Sequence, residues 1–176
     1  IASIEDVVRL GGDGVMTYLY YGQEDAHFQR DEIARNVKIA SECRRFGIVH
    51  MIEPRSAREK SDPQRTMSPA ALTAIARIAS ELGADIVKTV WPGTQEALEM
   101  IVDATVCPVV VAGGQRSDPA LVVERASTVV SAGAAGLVFG RNVYQHNNPG
   151  AMSSALCAVV HDGLSADAAT RKYLNQ

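Results

Sequence analysis

Residues 108–114, PVVVAGG, and 135–142, AGLVFGRN, are two short apolar runs that each close on a glycine-rich turn. Neither run alternates polar with apolar residues, so each reads as a strand buried on both faces, the mark of a parallel sheet. Working outward, the same rhythm of strand and helix recurs through the chain. Strands are expected at Gly14 to Tyr21 (GVMTYLYY), Ile48 to Glu53 (IVHMIE, stopped by Pro54), Gly83 to Trp91, Pro108 to Ala112 and Ala135 to Phe139. Helices are expected at Asp31 to Arg45, Ser68 to Leu82, Thr94 to Val102, Pro119 to Ala132, Gly150 to His161 and Ser165 to Leu174. Residues 55–68, RSAREKSDPQRTMS, read as a long polar loop.

Strands that each lead into a helix suit two architectures, an open doubly wound sheet or a (β/α)8 TIM barrel. The open sheet places its phosphate-binding glycines at the first strand–helix turn, but that turn here is YYGQEDAHF. A barrel places them after strands seven and eight, which is where VAGG and VFGRN stand. The reading is therefore α/β, a TIM barrel. A barrel takes roughly 250 residues, about 31 for each strand–helix unit. The 176 residues hold between five and six such units. Counting back from the last two strands, the whole chain, 1–176, is expected to be the C-terminal portion of one barrel domain, strands four to eight. The start at Ile1, inside what reads as a helix, agrees with that expectation.

Composition narrows the function. Hydrophobic residues make up 47% and charged residues 21%, enough for one core. Seventeen basic against 20 acidic residues give a net charge of −3, without the drive toward nucleic acid that a basic protein has. No apolar run approaches a membrane span, and IASIEDVVRL reads as an amphipathic helix, not a leader. Cys43, Cys107 and Cys157 form no CxxC pair, and the four histidines show no metal spacing. A cytoplasmic protein without metal, nucleic-acid or membrane partners is expected.

Lys88, in the apolar run ADIVKTV, stands out. Burying a charged lysine is costly, so a strand-end lysine at a barrel mouth is placed to act as a free amine on a carbonyl. The alternative is a lysine that snorkels to water. Tyr18 and Tyr20 share one side of their strand and Tyr21 takes the other; a phenol in the mouth can carry a proton, or simply pack. Glu53 faces the same mouth, as a proton or hydroxyl partner or as a mate for Arg55 or Arg58. Gly113, Gly114, Gly140 and Arg141 supply close backbone approach and a bidentate donor for phosphate. His50 reads as a satisfied core residue.

GADIVKT at 83–89, PVVVAGG at 108–114 and GLVFGRNVYQ at 136–145 resemble the DhnA-type class I aldolases, the archaeal-type fructose-bisphosphate aldolase group. SIEDVVRLGGDGVMTYLYYGQ and the tail GAMSSALCAVVHDGLSADAA are similar to the same family, the tail to bacterial relatives that include a thiolase. The resemblance implies a Schiff-base lysine at Lys88, a proton-transfer tyrosine at Tyr20 and phosphate loops at Gly113, Gly114, Gly140 and Arg141. It implies no cofactor, a phosphorylated keto-sugar substrate and a homo-oligomer. Two departures stand out: the family's strand-one aspartate has no counterpart, and YYGQ stands where YPGS is frequent. The expected function is a class I aldolase. A Schiff-base thiolase or transaldolase-like synthase, and a non-catalytic phosphosugar-binding subunit, are the alternatives.

Overall fold

The computed structural model describes residues 3–175. Ile1, and with it the reading of that residue as helix interior, lies outside the described residues. The chain forms an α/β fold around one five-stranded sheet, all parallel, with strand order β1-β2-β3-β4-β5. The strands are β1 (Gly14–Tyr21), β2 (Val49–Ser56), β3 (Ile86–Thr89), β4 (Val109–Ala112) and β5 (Gly136–Val138). The helices are α1 (Ile4–Arg9), α2 (Ala26–Phe46), α3 (Pro63–Thr66), α4 (Pro69–Glu81), α5 (Gln95–Ala104), α6 (Pro119–Ser131), α7 (Arg141–Tyr144), α8 (Pro149–Asp162) and α9 (Ala166–Tyr173).

Local chemistry sets most of these limits. Ser68, Thr94, Asp118 and Ser165 each accept a backbone N–H from the first turn of the helix they precede, and Pro69 and Pro119 fill first positions where no donor is needed. Ser3 and Asp6 form a reciprocal capping box on α1. Gly47, at φ +70°, ends α2 in the left-handed conformation that other residues resist.

The core lies between the sheet and its helices. Leu19, Ile52, Val87, Val109 and Val111 point outward from the strands onto Ala76 and Ala79 of α4, Leu98 and Ile101 of α5, and Val129 of α6. A second cluster joins α6, α8 and α9 through Val122, Val123, Met152, Leu156 and Ala169. The alternate residues of the strands form the inner face: Met16, Tyr18, Tyr20, Met51, Glu53, Arg55, Ile86, Lys88, Val110, Ala112 and Val138.

Four expectations need correction. β2 does not stop at Pro54 but continues to Ser56. Even-numbered residues of β2 direct their backbone toward β3, as His50 does through Asp85, and odd-numbered ones toward β1, as Val49 does through Asp13. Pro54 therefore lacks its N–H on the β3 side, beyond the last residue paired there, Ile52. The 55–68 segment is not all loop, since Arg55 and Ser56 belong to β2 and α3 lies within it. α2 begins five residues before Asp31, at Ala26, because Asp25 caps it. The third strand is confined to Ile86–Thr89.

Candidate active site

Parallel register brings the inner-face side chains into rows. Tyr18 pairs with Glu53, and Met51 and Ile52 pair with Ile86 and Val87, which carries the row on from Glu53 to Lys88. Lys88 in turn stands beside Val110. One row nearer the C-terminal rim, Tyr20 pairs with Arg55, and Ala112 with Val138.

A cavity of about 560 Å³ opens on this face at the C-terminal ends of the strands. It is lined by Lys88, Glu53, Gly113, Gly114, Gly140 and Arg141, so six of the residues singled out in the sequence meet in one place. Tyr18 lines it as well. Tyr20 does not; it borders an adjoining depression of about 350 Å³ that shares Tyr18, Arg55 and Glu59 with the cavity. The two phenol rings stack with centroids 5.6 Å apart.

Lys88 is not an isolated cation in an apolar wall. Its side chain is 13% exposed, and its Nζ donates to Glu53 Oε2 at 2.6 Å. Glu53, 5% exposed, accepts from Arg55 Nη1 with its other oxygen at 3.1 Å. Arg55 then donates through Nε to Glu59 at 2.7 Å. Burial works against the Arg55 charge, and the carboxylates of Glu59 and Glu53 outweigh it, so its pKa lies above the ordinary arginine value. The result is an alternating chain, Lys88–Glu53–Arg55–Glu59, in which each sign is answered by its neighbour. Arg58, the other mate considered for Glu53, pairs with Glu24 instead.

The two glycine turns, which follow β4 and β5, line the same cavity. Gly114 adopts φ +67°, and a Cβ on Gly113 would lie 2.9 Å from the Phe139 ring, so both positions demand glycine for local reasons. Arg141 reaches across to Gln115, donating at 2.7 Å from Nη1. Asn142, buried, ties the turns together: its Nδ2 donates to Gly113 O at 2.8 Å and its Oδ1 accepts from Ser117 N at 3.0 Å. Asn142 was not among the sequence candidates, although its place in GRN beside the second turn was visible. Arg125 of α6 also reaches the cavity, a long-range placement that spacing along the chain does not reveal.

His50 lies on the outer face and takes no part in this cavity. It is fully buried, and its Nε2 lies 2.9 Å from Thr17 Oγ1, whose hydroxyl is donated to Asn36 Oδ1 at 2.6 Å. Nε2 must therefore be the donor, and Nδ1 is left without a partner among the described residues, so the expected satisfied histidine is satisfied on one side only. Burial pushes its pKa below the ordinary histidine value, against the pull of Asp85, with Arg35 and Arg44 adding to the fall. Cys43 is buried, Cys107 partly so and Cys157 exposed; burial raises the first two thiols. Among the described residues no group of three or more His, Cys, Asp or Glu is placed to hold a metal ion, and no helix is long and apolar enough to cross a membrane.

The chain is similar to known proteins in sequence and in fold. The family model described as DeoC/LacD family aldolase matches residues 1–146. The 2-amino-3,7-dideoxy-D-threo-hept-6-ulosonate synthase of Halobacterium salinarum is 35% identical over 167 residues, 95% of this chain and 61% of that protein. The 2-amino-4,5-dihydroxy-6-oxo-7-(phosphonooxy)heptanoate synthase of Streptomyces griseus is 35% identical over 172 residues, 96% of this chain and 60% of its own length. The chain thus spans about three-fifths of the length of these relatives. Among solved structures, a Schiff-base-forming fructose-1,6-bisphosphate aldolase superposes with a TM-score of 0.81 at 27% identity, covering 91% of this chain and 63% of that one.

Proposed function

The chain belongs to the DeoC/LacD family of aldolases, and from that premise we propose that it carries the catalytic half of a Schiff-base-forming class I aldolase acting on a phosphorylated keto compound. The observation that carries this reading is the position of Lys88. Its side chain lines the same cavity as two glycine turns and a guanidinium, so a ketone and a phosphate on one small molecule can be held together. The Lys88 nitrogen adds to the ketone carbon, and loss of water gives an iminium that draws electrons from the bond to be cleaved. Phosphate rests against Gly113, Gly114, Gly140 and Arg141, and this remote binding orients the carbonyl. We assign proton traffic at the substrate hydroxyl to the stacked pair Tyr18 and Tyr20, with Tyr18 rather than Tyr20 facing the cavity. The cleavage leaves an enamine, which is protonated and hydrolysed.

We further read the five strands as strands four to eight of a (β/α)8 barrel. This is supported by the two glycine turns after the last two strands and by the inner face, where Tyr18 and Tyr20 are each 40% exposed. A second reading, synthesis instead of cleavage, is favoured by the Streptomyces relative, whose named product has a ketone next to a phosphorylated carbon. Both directions pass through the same enamine. The test is hydrogen exchange of dihydroxyacetone phosphate in heavy water, followed by NMR. Exchange at the carbon next to the ketone with the full chain, and none with Lys88→Ala, is expected. Binding without exchange would leave the phosphosugar-binding alternative in place.

A further inference from the structure

We propose that Arg125 of α6 is a specificity-determining residue: together with Arg141 it makes the cavity take a phosphate monoester as its dianion and discriminate against singly charged esters. The proposal rests on the phosphate reading of the two glycine turns and names the charge state that they receive. Among the described residues, the cations Arg55, Lys88, Arg125 and Arg141 and the carboxylates of Glu53 and Glu59 line the cavity. Both carboxylates are already answered, Glu53 by Lys88 and Glu59 by Arg55. Arg141 donates to a neutral partner, Gln115, and forms no ion pair among the described residues. Arg125 makes neither a hydrogen bond nor an ion pair among them. Two guanidiniums are therefore left facing one cavity with no carboxylate to balance them.

The helix explains how an arginine of α6 comes to be there. Val122, Val123, Ala126 and Val129 are its buried residues. Arg125 stands three positions after Val122 and four before Val129, so its aliphatic stem runs beside that stripe and the residue is partly buried. Side chains on a helix lean toward its N-terminus. α6 starts at Pro119, on the segment that leaves Gly114 after β4, so this lean carries the guanidinium toward the glycine turns. Arg116 lies on that segment too, but it is exposed and does not line the cavity.

Charge then decides the ligand. A phosphate monoester is close to a dianion near neutral pH, since its second pKa is about 6. A sulfate monoester has the same tetrahedral shape and a single charge. A dianion answers both guanidiniums, whereas a monoanion leaves one of them partly buried and unmatched. The backbone N–H groups of the turns position the anion, and Arg125 adds the discrimination.

The experiment is calorimetric binding of glycerol 3-phosphate and glycerol 3-sulfate to the full chain at about pH 7.5, above the second phosphate pKa. The wild type should bind the phosphate ester about 10- to 100-fold more tightly than the sulfate ester. Arg125→Gln should bring that ratio to within about threefold, chiefly by weakening the phosphate ester. Arg125→Met keeps the packing of the stem without the charge; it should do the same, and it decides the matter if the Gln variant does not fold. Arg125→Lys should restore part of the ratio, and Arg116→Gln should leave it as in the wild type. A wild-type ratio in whichever of the Gln and Met variants folds would overturn the proposal, as would an equal loss in Arg116→Gln. No binding of either ester by the wild type would overturn the phosphate reading and the proposal with it. The predicted ratios in a chain that exchanges no hydrogen on dihydroxyacetone phosphate would support the Arg125 assignment and count against the Schiff-base reading alone.

Discussion

Strand β2 contributes to two polar clusters, one on each face of the sheet: His50 to the outer one, Glu53 and Arg55 to the inner one. On the inner face Glu53 and Arg55 join Lys88 and Glu59 in a run of four formal charges beside the cavity. On the outer face Thr17 and His50 join Asn36 of α2 in a neutral network, with Asn36 and His50 fully buried. Asn36 also donates to the backbone oxygens of Tyr18 and Glu32, at 3.2 and 2.9 Å, which fastens α2 to the strand that presents the tyrosines. The difference teaches what each face is for. The charged cluster can relocate a proton without changing its net charge, so it suits chemistry. The neutral cluster has one donor for each acceptor it uses, so it suits holding the scaffold in register.

Substitutions that separate activity from stability sharpen this contrast. The largest expected effect is on the inner face: Lys88→Ala should lower turnover by about 10⁴-fold or more, since covalent catalysis is removed, while the chain remains folded by circular dichroism. Arg141→Ala should come next, lowering kcat/KM for a phosphorylated ketone by about 10- to 100-fold through KM and sparing an unphosphorylated analogue. The outer face should behave oppositely. Thr17→Val keeps the shape but strips Asn36 Oδ1 and His50 Nε2 of a partner, so urea unfolding should show a loss of about 1–3 kcal/mol with kcat unchanged. If Thr17→Val abolished turnover in a folded protein, the division of labour between the faces would be broken.

The smallest effect is in pH. The His50 pKa is depressed by burial, so the folded chain resists a proton that the unfolded chain accepts. The unfolded state then binds more protons in the window between the folded value and the ordinary histidine value. Stability from this group is full above the ordinary value and falls as pH drops below it, by at most about 1.4 kcal/mol per pH unit. Urea midpoints measured from pH 7.5 downward should show the decline, and His50→Gln should flatten it. An unchanged slope in that variant would place the acid sensitivity elsewhere.

Much of this architecture was legible because it is local. Apolar runs without alternation gave the five strands, and Ser68, Thr94 and Ser165 marked helix starts that the structure places within a residue. Two glycine turns pointed to the wall of the cavity. What was not legible depends on register. Glu53 and Lys88 are 35 positions apart, and only the pairing of Met51 with Ile86 sets them side by side. Alternation put Tyr18 and Tyr20 on the same face, but it could not say which of them shares the row of Lys88. Pro54 misled for the same reason: a missing N–H ends a strand only where a neighbour waits for it, and β3 had already stopped pairing.

The central claim is that the inner face presents the Lys88 amine to a phosphorylated ketone. It is tested most directly by borohydride reduction in the presence of dihydroxyacetone phosphate, followed by peptide mapping. The account predicts a single reduced adduct on the peptide containing Lys88, lost in Lys88→Ala. An adduct on Lys38, Lys60 or Lys172 in its place, or none on any lysine, would contradict it.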